Sequence, residues 1–182
     1  MGKSMRIIAG IARGRRIESP AGASTRPTLD RVRESLFNRL MPRVGGAAFL
    51  DLFAGTGANG LEALSRGAER AVLVDNAAAA LTVIRRNITL CGFDDRAQCM
   101  HLDLPGGLDK LSGPFDIVFA DPPYVFAQAE ALLCGLDTRQ LVAPGGCIIY
   151  ESARKTPPPD ILCRWTLFRR AEYGDTALSF YS

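Results

Sequence analysis

Apolar residues recur along this chain in short runs, at 48–53, 71–75, 97–102, 115–120 and 146–150. Runs of this length predict strands buried on both faces. Between them, 58–67, 77–91 and 126–138 have helical character, the second rich in alanine, leucine and isoleucine. Strands alternating with helices at this spacing predict a parallel sheet covered on both sides. "WTLF" (165–168) and "ALSFY" (177–181), joined through Tyr173-Gly174-Asp175, predict a terminal antiparallel pair, and "TPPPD" (156–160) a stiff loop. The expected architecture is α/β and doubly wound, a mostly parallel seven-stranded sheet that ends in this antiparallel pair.

The first 44 residues depart from the alternation. Residues 5–9 and 15–18 flank Gly10 and Gly14 and predict a short hairpin or two strand-like pieces. After the Gly/Pro/Ser stretch "SPAGASTRPT", Thr28 is placed to cap a helix on which Leu29, Val32, Leu36, Phe37 and Leu40 share a face. Arg31 and Arg33 fall on its other side, and Pro42 and Gly45-Gly46 close it. Two parts are expected: a basic extension (1–44) and an α/β domain (45–182).

Charge sharpens this division. The 182 residues carry a net charge of only +3, yet eight basic residues and two acids lie between Met1 and Arg33. Seven of the eight are arginine, whose planar fork suits phosphate, so the extension reads as an arm facing nucleic acid. No stretch approaches the ~20 apolar residues of a membrane span, and the N-terminus lacks the apolar core of a signal peptide. Cys91, Cys99, Cys134, Cys147 and Cys163 are scattered without C-x-x-C spacing beside a single histidine, His101. That pattern predicts no metal site, free thiols and a cytoplasmic protein. His101 reads as a structural residue, and one complete site in one domain fits a monomer.

Candidate chemistry begins at "FLDLFAGTGANG" (49–60). Gly55, Gly57 and Gly60 satisfy the G-x-G-x-x-G spacing of a dinucleotide site, with Asp75 at the end of the next strand. Against a pyrophosphate stands Asp51, an acid on the strand feeding the loop. S-adenosylmethionine, which has an α-amino group, a sulfonium and a ribose but no phosphate, suits the same loop better. Asp51 would meet its amino group, Gly55 and Gly57 would let backbone lie against it, Asp75 would accept from the ribose hydroxyls and Asp103 from the adenine amine.

The run 115–120 stops at Asp121-Pro122-Pro123-Tyr124. An exocyclic base amine is a poor nucleophile until acceptors hold its hydrogens and turn its lone pair toward the methyl group. Asp121 offers one acceptor, and the Pro122 carbonyl, fixed between two prolines, offers another. Tyr124 supplies a ring face on which a flipped-out base can stack.

These pieces resemble the RsmD-type methyltransferases of bacterial small-subunit ribosomal RNA. The resemblance rests on "RIIAGIARGRRI" (6–17), "TRPTLDRVRESLFN" (25–38), "LDLFAGTGANGLEALSRGA" (50–68), "FDIVFADPPY" (115–124) and "YGDTALSFY" (173–181). It implies methyl transfer from S-adenosylmethionine, leaving S-adenosylhomocysteine, to the 2-amino group of a guanine in 16S rRNA of the small subunit. It also implies Asp121, Pro122 and Tyr124 as the catalytic set and Asp51, Phe53, Gly55, Gly57, Asp75, Asn76 and Asp103 as the cofactor set. Arg13, Arg15, Arg16, Arg26 and Arg31 would then face RNA. Asp75 stands where the family usually has glutamate, and Asn59 where it often has an apolar residue. Three alternatives remain: a DNA adenine-amine methyltransferase, a non-catalytic RNA-binding assembly factor with this fold, and a dinucleotide-dependent dehydrogenase.

Overall fold

The computed structural model describes residues 5–19 and 27–182. Helix α1 (Pro27–Val44) leads into β1 (Ala48–Leu52), α2 (Ala58–Ser65), β2 (Arg70–Asp75), α3 (Ala78–Cys91), β3 (Ala97–His101), β4 (Phe115–Ala120), α4 (Ala129–Thr138) and β5 (Val142–Ala153). The chain ends in β6 (Ile161–Leu162), β7 (Trp165–Tyr173) and β8 (Thr176–Tyr181). All eight strands form one sheet in the order β3-β2-β1-β4-β5-β8-β7-β6. The first five are parallel; β8 runs antiparallel between β5 and β7. The strand beyond the expected seven is the two-residue β6, too short to leave a periodic signal.

Alternation along the strands distributes the core. Phe49, Leu73, Phe119 and Ile149 point to the face covered by α1, α2 and α3, while Leu50, Val74, Val118 and Ile148 meet α4 and Leu108 on the other. Trp165 donates its indole N–H to the Leu133 carbonyl at 2.9 Å, which docks β7 on α4. The N-terminal segment joins the first of these cores: Ile7, Ala12 and Ile17 of the hairpin and Val32, Leu36, Phe37 and Leu40 of α1 are all buried in it. Each large apolar side chain among them contributes roughly 1.5–3 kcal/mol on burial.

The hairpin is held by one bridge between Arg6 and Arg16 and by N–H···O bonds from Ile7 to Arg15 and from Ile17 to Met5. It docks on α2 through Glu62, whose carboxylate accepts the N–H groups of Ile8 and Ala9 at 2.7 and 3.0 Å and pairs with Arg66 at 2.7 Å. Arg33 is buried as well, against its expected place on the solvent side of α1; its Nε stands 4.0 Å from Glu62. Helix α1 opens at Pro27, ahead of the expected cap Thr28, and continues through Pro42 to Val44. Proline lacks an N–H that the first turn would leave unpaired anyway.

Cys134 on α4 and Cys163, between β6 and β7, are joined as a disulfide with Cα atoms 5.6 Å apart, which corrects the expectation of free thiols at those two positions. Their separation of 29 residues carries no spacing signal; packing of β7 on α4 brings them together. Cys91, Cys99 and Cys147 are free. Among the described residues no helix is long and apolar enough to cross a membrane.

Candidate active site

Strand β1 lies between β2 and β4, so the chain leaves the carboxyl ends of β1 and β4 in opposite directions and opens a crevice there. Phe53 follows β1 with a φ of 61°, a strained conformation for a non-glycine residue. Asp121 follows β4, and its N–H donates to the Leu52 carbonyl at 3.3 Å, which keeps the two strand ends together. Pro122 is buried beneath the corner. A turn closed by Phe126 N–H on the Pro123 carbonyl at 2.8 Å carries Tyr124 to the rim, 76% exposed, with its ring free to stack. Phe126 meets Phe53 edge-on at 5.0 Å, tying the two corners to each other.

The glycine loop is shaped by two aspartates. Asp75 accepts the Gly55 N–H at 2.8 Å through one oxygen and the Ala77 N–H at 2.9 Å through the other. Gly57 caps α2 at a φ of 77°, and a Cβ there would meet Leu73 at 2.8 Å, so both conformation and packing demand glycine. At Gly55 a Cβ would instead enter open space, the kind of cradle a ligand can fill. Asp51 is buried, and its Oδ2 accepts the Gly60 N–H at 2.8 Å. It therefore lies under the loop and lines neither of the cavities at the strand ends.

Burial pushes the Asp51 carboxyl up to about 8; the Gly60 N–H opposes this, and the charges of Asp121 and Asp75 add to it. An unfolded aspartate titrates near ~3.9. The native state thus binds more protons between those values, and stability falls as pH rises through that window, by at most ~1.4 kcal/mol per pH unit. Asp51→Asn, which keeps an acceptor for Gly60, is expected to flatten this dependence in urea titrations at pH 5 and pH 8. The wild-type slope persisting in the variant would mean that Asp51 is ionised in the fold.

The crevice opens into a cavity of about 850 Å³ that brings together Phe53, Asp75, Asn76, Asp103, Asp121, Pro122 and Tyr124. Asn76 donates to Asp103 at 3.3 Å. His101, outside it, contacts only the Asn76 carbonyl among its described hydrogen-bond partners, at 3.1 Å. Several lining residues were not foreseen. Leu102 and Leu104 flank Asp103, and Tyr173 to Thr176 bring the β7–β8 turn over the cleft. The Tyr173 hydroxyl shares a 2.5 Å hydrogen bond with Ser35 of α1. Glu151 was also missed; because Ala120 pairs with Tyr150, it stands beside Asp121. Desolvation pushes the Asp121 carboxyl up to about 6, and desolvation together with Asp121 pushes Glu151 up to about 8. The two carboxyls titrate as a pair, each held above the ordinary carboxylate range.

The cavity lining holds Asp75, Asp103, Asp121, Glu151 and Asp175 and, among the described residues, no lysine or arginine. Such a wall disfavours a pyrophosphate and suits a cationic, phosphate-free nucleoside, which is the chemistry of S-adenosylmethionine. Positive charge gathers elsewhere. Arg13 and Arg31 line a depression between the hairpin and α1 together with Arg6 and the acids Asp30 and Glu34, and Arg16 is exposed beside them. Arg15 is tied to the Leu90 carbonyl at 2.7 Å. Arg26 falls outside the described residues.

The family described as conserved hypothetical protein 95 matches residues 5–182. The ribosomal RNA small subunit methyltransferase D of Escherichia coli K12 is 36% identical over 177 residues, 97% of this chain and 89% of that protein. Its namesake in Haemophilus influenzae is 34% identical over 183 residues, 97% and 93% of the two chains. The solved structure of yhhF from Escherichia coli superposes with a TM-score of 0.85 at 35% identity, over 98% of this chain and 97% of that one. The chain belongs to this family.

Proposed function

From membership of that family and the form of the cleft, we propose that this protein transfers a methyl group from S-adenosylmethionine to the exocyclic 2-amino group of a guanine in 16S rRNA of the small ribosomal subunit, in the cytoplasm. The observation that carries the reading is the donor-poor corner Asp121–Tyr124, opening onto an acid-lined cavity at the sheet's switch point. When bound there, S-adenosylmethionine supplies a methyl group activated on a sulfonium. Asp75, Asn76 and Asp103 would hold its nucleoside end, with Leu102 and Leu104 against the base, while Gly55 leaves room for close approach. Asp51 contributes from beneath, by ordering the loop through Gly60.

Asp121 accepts one hydrogen of the target amine and the Pro122 carbonyl the other, so that the lone pair turns toward the methyl carbon. Tyr124, at the open rim, stacks on the base. The Asp121 carboxyl, raised by desolvation to about 6, is suited to take the proton the amine releases. The neighbouring Glu151 is raised as well, by desolvation and by the charge of Asp121.

To test this, the protein would be mixed with labelled S-adenosylmethionine and small subunits from a strain lacking the enzyme, and the RNA then digested. Label is expected in a single N2-methylguanosine. Label on adenine would favour the alternative amine, and no label on any base would overturn the reading. The hairpin should supply phosphate contacts. Replacing Arg13, Arg16 and Arg31 with glutamine is expected to weaken subunit binding and to flatten the log–log salt dependence by about 0.7–0.9 for each phosphate no longer neutralised. An unchanged slope would place the RNA elsewhere on the surface.

A further inference from the structure

Glu151 lies in the cleft without a part in the methyl transfer described above. Its place follows from the register of β4 and β5: Phe119 pairs with Ile149 and Ala120 with Tyr150, so Asp121 and Glu151 are the next positions on neighbouring parallel strands. Strands in a sheet stand about 4.8 Å apart, and side chains alternate between its faces. Phe119 and Ile149 enter the same core, so two residues on Asp121 and Glu151 also share a face. Both line the main cavity.

Two other acids of that lining are occupied. Asp75 accepts from the Gly55 and Ala77 amides, and Asp103 from Asn76. Glu151 has no such partner. Burial raises its carboxyl, the charge of Asp121 adds to this, and no donor or cation among the described residues offsets either. A desolvated acceptor beside a like charge is costly, and a ligand that brings a donor to it recovers part of that cost.

Guanine carries such a donor next to its 2-amino group. Its N1–H and the nearer amine hydrogen point the same way from one edge of the ring. With the amine hydrogens held by Asp121 and the Pro122 carbonyl, N1–H calls for an acceptor standing beside Asp121. Adenine differs at this point, because the ring nitrogen next to its amine bears a lone pair and no hydrogen. One carboxylate accepts from either amine. Two side by side match the donor–donor edge of guanine and repel the donor–acceptor edge of adenine.

We propose that Glu151 determines the choice of base, one of its carboxyl oxygens accepting guanine N1–H while Asp121 holds the neighbouring amine. The inference rests on the proposed transfer to a guanine amine. It deepens that reading by assigning specificity to the end of β5, outside the Asp-Pro-Pro-Tyr corner.

The test compares two small-subunit substrates. One carries the guanine identified by labelling; the other carries 2-aminopurine in its place, which keeps the 2-amino group but has a lone pair at N1. Rates are taken at pH 8.5, above the value of about 8 to which the Glu151 carboxyl is raised, so that it is ionised. For the wild type, kcat/KM is expected to favour guanine by roughly 10- to 100-fold, the range of a hydrogen bond to a charged group. Glu151→Gln has an amide that can donate to the lone pair, and its preference should shrink by about tenfold or more. Glu151→Ala should lose rate on guanine and keep its rate on 2-aminopurine. Both variants should bind S-adenosylhomocysteine within a few-fold of wild type. An unchanged preference in the two variants would overturn the inference. So would a loss of S-adenosylhomocysteine affinity with the preference intact, since Glu151 would then face the cofactor. No transfer to guanine by the wild type would instead overturn the reading of function on which the inference rests.

Discussion

Asp121→Ala is expected to lower kcat for methyl transfer by about 10²- to 10⁴-fold, the range for removing a positioned proton acceptor, and to leave the dissociation constant for S-adenosylhomocysteine within a few-fold of wild type. The split follows from position. Asp121 stands where the strand-end crevice meets the Tyr124 rim, whereas the nucleoside end of the cleft is built by Asp75, Asn76 and Asp103. Single-turnover rates and calorimetry on the same variant would separate the two effects. The wild-type rate should also decline as pH drops through about 6, because the raised Asp121 carboxyl then takes up a proton and ceases to accept from the amine. Asp121→Asn should lose that acidic limb. A variant lacking the carboxyl that turns over within tenfold of wild type would remove Asp121 from the mechanism.

Glu62→Ala is expected to cost about 3–5 kcal/mol of folding stability, the range for removing one partner of a buried ion pair. Glu62 is fully buried and holds the hairpin to α2 through two N–H groups, with Arg66 at 2.7 Å and Arg33 at 4.0 Å on its remaining flank. Its removal leaves two amides and a guanidinium without their partner in the core. Urea denaturation followed by tryptophan fluorescence would measure the loss, and a change below about 1 kcal/mol would mean that water replaces the carboxylate. Glu62→Gln should be milder for the amides, because an acceptor oxygen remains, though Arg66 still loses its counter-charge.

The contrast between Asp121 and Glu62 shows what a sequence makes legible. Asp121 announced itself through its neighbours: an apolar run ending at an acid and two prolines has few purely structural explanations. Glu62 sits in "GLEALSRGA" as one acid in a short helix, and its importance comes from residues more than fifty positions away. An acid inside an otherwise apolar helix was the available hint. Arg33 was misplaced for the same reason, since helical spacing placed it opposite the apolar stripe without showing that the hairpin would cover that side. Glu151 and the turn Tyr173–Thr176 entered the cleft only once β5 and β8 had taken their places in the sheet. Strand ends blurred similarly: β5 extends to Val142–Ala153 beyond the apolar run at 146–150, because edge and terminal residues need not be apolar to pair.

By itself the sequence determined the alternation of strands and helices, the glycine loop and the Asp-Pro-Pro-Tyr corner, because burial on both faces of a parallel sheet and the backbone limits of glycine and proline act locally. It also determined the excess of basic over acidic residues in the first 33 positions. The tertiary structure decided which acids face the cleft and which lie beneath it. Asp51 and Asp75 both end up on the loop's hydrogen bonds, yet only Asp75 also lines the cavity. The physical reason is that a carboxylate's role depends on what surrounds it, and here the surroundings come from strands and helices that are distant in the chain and adjacent only in the fold.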